Sequence, residues 1–108
     1  YIVNDVSTYN KTALYATFVG GDRPFSYAHN PTVTDGSAVM VIKDSYGNAF
    51  IPWLVDHYEY IYWVDARYTS NTISQMVRDY NIQDVIYEVQ IYNSSTDSMM
   101  SKYAAIGQ

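Results

Sequence analysis

Ala38-Val39-Met40-Val41-Ile42-Lys43-Asp44-Ser45-Tyr46-Gly47-Asn48 decides how the rest of this sequence is read. Ala38 to Lys43 is apolar on both faces, as a central parallel strand must be. The run ends in a turn that presents an aspartate and a serine, and an amphipathic pattern begins directly after it. Many α/β hydrolases carry a nucleophile at this place, the carboxyl end of a buried strand beside the first turn of the next helix. The same residues have a structural reading, in which Asp44 and Ser45 cap the helix that follows.

Outward from this stretch the pattern alternates. Asn48 is read as the cap of a helix running to about Tyr58, with Phe50, Trp53, Leu54, His57 and Tyr58 at helical spacing. Pro52 falls in the first turn, where its missing N–H costs little. Tyr60 to Val64 reads as a second strand. Asn71 or Thr72 caps a second helix, with Gln75 completing a capping box on Thr72 and Ile73, Met76, Val77 and Tyr80 forming the apolar stripe. Asn81 is the stop. Val85 to Ile91 reads as a third strand, and Thr96 or Asp97 caps a last helix carrying Met99, Met100, Tyr103 and Ile106.

The order β-α-β-α-β-α over residues 38–108 predicts an α/β fold with a three-layer, mostly parallel sheet and right-handed crossovers. Such a sheet binds ligands beyond the carboxyl ends of its strands. The loops Asp44–Asn48, Asp65–Asn71 and Tyr92–Thr96 then converge, placing Asp44, Ser45, Asp65, Arg67 and Asn93 on one edge. Residues 1–37 read as an irregular lead-in packing on the sheet. Turn signals recur there at Gly20-Gly21-Asp22, Pro24, Asn30-Pro31 and Asp35-Gly36. Between them Ala13 to Val19 is a strand or a short helix, and periodicity does not decide.

Composition narrows the function. The chain has 108 residues, 48% of them hydrophobic, enough for one core. Its net charge of −5 lacks the basic footprint of a nucleic-acid binder. The absence of cysteine removes disulfides, thiolate metal sites and a cysteine nucleophile. Two histidines without metal-ligand spacing do not make a metal site. No apolar run reaches membrane-spanning length, so this segment is not expected to span a membrane. Tyrosine supplies 13 residues. It is a half-buried strand former with a polar tip; on a surface it also stacks on sugar rings.

Three segments together resemble the carboxyl-terminal part of the DHHW family: Val41 to Phe50, Val64-Asp65-Ala66-Arg67-Tyr68, and Asn81 to Tyr87. The lead-in Phe18-Val19-Gly20-Gly21 is similar to a family element that precedes the Asp-Ser strand. DHHW proteins are SGNH-hydrolase-like and related to the alginate O-acetylation proteins. The resemblance implies a flavodoxin/SGNH-like sheet, here an incomplete domain, with Ser45 as nucleophile and Asn93 as oxyanion donor. It implies esterase or acyltransferase chemistry on acylated carbohydrate, without a cofactor, in an extracellular or cell-envelope setting. Asp44, Tyr46, Asn48 and Arg67 are then substrate-binding or turn-orienting residues. An uncovered sheet edge in an incomplete domain would favour a homodimer.

A serine hydroxyl needs an adjacent base. In the family that base comes from an aspartate and a histidine upstream of the Asp-Ser strand, and no Asp-His-His-Trp or Asp-x-His pair stands upstream of Ser45. His29 reaches the strand end only if its loop folds over the sheet, and His57 reads as a histidine at a helix terminus. The chain by itself is therefore expected to be inactive. Two rival readings use the same loop. Ser45 to Asn48 is superficially similar to a flavodoxin phosphate loop, but Asp44 would repel a bound phosphate. A non-catalytic cell-surface domain would instead bind glycan or protein through Tyr46, Tyr68 and Tyr92.

Overall fold

The computed structural model describes residues 24–69, 72–90 and 97–107. The readings made for residues 1–23, for Asn71 and for the loop carrying Tyr92, Asn93 and Thr96 lie outside the described residues. Among these residues four strands form one sheet: β1 (Phe25–His29), β2 (Ala38–Lys43), β3 (Tyr60–Asp65) and β4 (Asp84–Glu88). The strand order is β1-β3-β2-β4. β2 runs parallel to both of its neighbours, and β1 pairs antiparallel with β3. Among the described residues two α-helices, α1 (Ile73–Asp79) and α2 (Asp97–Ile106), complete a small mixed α/β domain.

The two-residue period of the strands splits the core. Met40, Ile42, Tyr62 and Val64 face one way and pack with Ile73 and Met76 of α1 and Tyr103 and Ile106 of α2. Val39, Val41, Ile61 and Trp63 face the other way and pack with Ile51 and Leu54. Met40 and Ile42 are fully buried, and burial of each such side chain contributes about 1.5–3 kcal/mol. β2 is apolar on both faces because it is covered on both faces.

The segment between β2 and β3 corrects the expected helix from Asn48 to Tyr58. It forms two 3₁₀ helices, Ser45–Ala49 and Ile51–Leu54. Their bonds span three residues: Phe50 N–H donates to the Gly47 carbonyl at 3.0 Å and Trp53 N–H to the Phe50 carbonyl at 3.1 Å. Pro52 has no N–H for the longer α-helical bond to Asn48, and its ring crowds that carbonyl. The buried stripe follows the tighter period, with Ile51 and Leu54 inward, while Trp53 is 78% exposed. The cap is Asp44, not Asn48.

α1 forms where its signals predict. Thr72 has extended backbone and its Oγ1 accepts the Gln75 N–H at 3.4 Å. Asn81 ends the helix with φ of 51°, the left-handed conformation asparagine tolerates. Within the segment read as irregular, Phe25–His29 forms strand β1. β1 is an outer strand whose aromatic residues stack on β3: Phe25 lies 6.0 Å from Tyr62, and His29 lies 4.6 Å from Tyr60, between ring centroids. No described helix is long and apolar enough to cross a membrane.

Candidate active site

The carboxyl end of β2 places an ionic layer beneath a serine. Lys43 is the last rung of the parallel ladder, opposite Asp65 of β3 and Glu88 of β4. Alternation puts all three on the sheet face that packs against the 3₁₀ segment. Lys43, Asp44 and Asp65 are fully buried, which charged residues tolerate only when paired. Lys43 Nζ lies 3.8 Å from Asp65 Oδ2 and donates to the Asp44 carbonyl at 3.4 Å. Arg67 closes a bidentate pair on Asp65, with Nε to Oδ1 at 2.9 Å and Nη2 to Oδ2 at 2.6 Å. The Arg67 guanidinium also lies 5.1 Å from the centre of the Tyr68 ring.

Asp44 ties two loops together. Its Oδ1 accepts the Tyr46 N–H at 2.9 Å, and its Oδ2 accepts the Gln90 N–H, just past β4, at 2.7 Å. The turn after β2 is thereby fixed to the chain leaving β4. Gly47 sits against this layer. A β-carbon there would stand 2.6 Å from Lys43 Cβ and 2.7 Å from Glu88 Oε2, so only glycine allows the approach. Burial, with the charge of Asp44, raises the Glu88 carboxyl above its ordinary value, while Lys43 pulls it down. Burial, then Asp44 and Asp65, push the Tyr103 hydroxyl up to about 12. Neither Glu88 Oε2 nor Tyr103 Oη hydrogen-bonds to a described residue.

Ser45 opens the first 3₁₀ helix and is half-buried. Tyr46 is 60% exposed, Asn48 is buried at 1%, and Tyr68 is 55% exposed. Asp44, Ser45, Tyr46 and Asn48 therefore share one turn, and the Asp65–Arg67 pair lies beside it. Asn93 lies outside the described residues. The backbone N–H groups after Ser45 are engaged, Tyr46 by Asp44 Oδ1 and Gly47 by the Asp44 carbonyl at 3.1 Å.

Neither histidine reaches this edge. His29 pairs with Tyr60, the first residue of β3, whereas Lys43 pairs with Asp65, the last. Five steps of ladder separate them, roughly 17 Å at about 3.3 Å per residue. His29 Nε2 instead meets Glu59 Oε1 at 3.4 Å. His57 is exposed in the turn leading back to the start of β3, and its N–H donates to the Leu54 carbonyl at 3.0 Å. Among the described residues no cluster of histidine and carboxylates could hold a metal ion. Sequence reasoning gave no role to Lys43, Glu88, Gly47 or Tyr103. The available signal was a lysine closing an otherwise apolar strand, which requires carboxylates nearby.

Fold and turn together define an α/β domain that presents a serine at a strand's carboxyl end. The chain belongs to the DHHW family, whose model, described as DHHW protein, matches residues 1–64. A crystal structure of a DHHW family protein from Eubacterium siraeum superposes with a TM-score of 0.83 at 27% identity, covering 96% of this chain and 33% of that one. Bacillus cereus PatB1 superposes with a TM-score of 0.72 at 26% identity, covering 90% of this chain and 32% of that one. A structure of PatB1 with a sulfonyl adduct gives a TM-score of 0.66 at 28% identity, over 79% of this chain and 29% of that one. The chain thus spans about a third of the length of these structures. No curated protein sequence matches it.

Proposed function

We propose that Ser45 is the nucleophile of an SGNH-like serine esterase or acyltransferase acting on acylated carbohydrate at the cell envelope. The observation that carries this reading is half-buried Ser45 on a turn held from below by buried charges, at the carboxyl end of a central strand parallel to both neighbours, the end at which such strands bind ligands. The similarity to PatB1, which has been seen with a sulfonyl adduct, supports it, because sulfonyl groups are captured by activated nucleophilic side chains. Ser45 Oγ attacks the acyl carbon while a base takes its proton. The tetrahedral oxyanion collapses to an acyl-serine and releases the first alcohol. Water or a second hydroxyl then takes the acyl group.

The N–H groups of Tyr46 and Gly47 are already engaged by Asp44. In this proposal the N–H of Ser45 itself serves the oxyanion, together with Asn93. Each such donor contributes on the order of 10²–10³ in rate. The base is an imidazole from a part of the protein beyond these residues, since His29 and His57 stand at the other edge.

A second reading, non-catalytic glycan binding, is favoured by the exposure of Tyr46 and Tyr68 beside the same turn. Fluorophosphonate labelling followed by mass spectrometry separates the two. It is run on this chain and on the longer protein, each with Ser45→Ala. Labelling at Ser45 only in the longer protein is expected. Absence of label in both forms removes the hydrolase reading and leaves a binding domain whose Ser45 is structural.

A further inference from the structure

A fully buried lysine two residues before the candidate nucleophile plays no part in the chemistry just described. Its surroundings assign it one. Lys43 touches the serine turn at two points. Its ammonium donates to the Asp44 carbonyl, the oxygen of the peptide bond that leads into Ser45. Its stem lies directly under Gly47, with Cβ and Cδ 2.6 and 3.2 Å from where a Gly47 β-carbon would stand. The contacts fall on either side of Ser45. The Asp44 carbonyl also accepts the Gly47 N–H, so the ammonium completes a closed loop around the serine.

Carboxylates flank Lys43 in the ladder. Asp65 lies on one side and Glu88 on the other, and Asp65 is separately held by Arg67. The charges that act on the Glu88 carboxyl are Asp44, which raises it, and Lys43, which lowers it.

We propose, on the footing of the serine-nucleophile reading, that Lys43 is a positioning residue for Ser45. It braces the turn from beneath and sets the direction of the Ser45 hydroxyl and N–H, without touching substrate. A nucleophile misplaced by about 1 Å loses on the order of 10²-fold in rate, and that is the loss expected when the brace is removed.

The test must separate positioning from simple loss of fold. Lys43→Met removes the ammonium and with it the cation that favours the charged form of the half-buried Glu88 carboxyl, and a partly buried charge left without its cation is destabilising. Lys43→Met combined with Glu88→Gln removes that charge as well, and Asp65 keeps Arg67. In the longer protein, the double variant is expected to melt near the parent temperature yet label at Ser45 on the order of 10²-fold more slowly. Amide exchange at Gly47 is expected to accelerate about tenfold or more, a loss of about 1.4 kcal/mol of local protection.

A double variant that labels at the parent rate overturns the proposal, as does a Gly47 amide that exchanges unchanged. If the parent protein itself takes no label, the serine-nucleophile reading fails. The Gly47 exchange then decides by itself whether Lys43 braces the turn.

Discussion

Asp44→Asn distinguishes a helix cap from a tie between loops. Asparagine and aspartate cap helix starts about equally well, so a residue that only caps should tolerate the change within a few tenths of a kcal/mol. Asp44 does more, because its two oxygens accept two backbone N–H groups from separate segments, Tyr46 at 2.9 Å and Gln90 at 2.7 Å. Asparagine offers one acceptor oxygen. Its NH2 group would face the second N–H, donor against donor, at a fully buried site. A hydrogen bond to a charged acceptor contributes about 1.5–3 kcal/mol, and a buried donor left unmet costs a similar amount. Removing one negative charge from a layer holding Asp65 and Glu88 offsets part of this, leaving a net loss of about 2 kcal/mol. Urea unfolding reads that loss as a lower midpoint, and amide exchange locates it. Exchange at Gln90 should accelerate by roughly 5- to 30-fold, while amides of α1 follow only the global change. An Asp44→Asn variant with the parent midpoint and an unchanged Gln90 amide would refute the reasoning, reducing Asp44 to a cap.

Gly47→Ala is expected to cost about 1–3 kcal/mol through overpacking. The Glu88 carboxyl can swing away from an added methyl, but Lys43 Cβ at 2.6 Å belongs to the central strand and cannot; a thermal melt matching the parent would show that the turn yields instead. Glu88→Gln carries a pH signature. The folded carboxyl titrates above its ordinary value, so between the unfolded and folded values the native state binds more protons. Stability attributable to Glu88 is therefore full below the unfolded value and is lost as pH rises through the folded one. The variant should lack that loss, so its advantage in melting temperature over the parent grows from pH 4 to neutrality, on the order of the pH range in which carboxylates titrate. An advantage independent of pH would contradict the burial of this carboxyl.

The contrast between α1 and the segment after β2 shows where local sequence suffices. Thr72, Gln75, the apolar pair Ile73 and Met76, and Asn81 all act within one helix, so each signal meets its partner a few residues away. Pro52 opposed the apolar spacing from Phe50 to Tyr58, and the proline's missing donor prevailed. Two 3₁₀ turns formed, and Trp53 was left outside.

β2 was legible because a strand with neighbours on both sides and cover on both faces must be apolar throughout, and its end located Asp44 and Ser45 on a turn. The sequence by itself thus determined the parallel strands, helix α1 and the serine turn, through periodicity and capping that act over a few residues. Only the tertiary structure decided what lies under the turn. The charges of Lys43, Asp65 and Glu88 are separated by more than twenty residues along the chain at each step, and they meet only because strand register sets them on one rung. The same register carried His29 to the far end of the sheet from Ser45. Local sequence is silent on both, since register is set by how whole strands bury their apolar faces against one another.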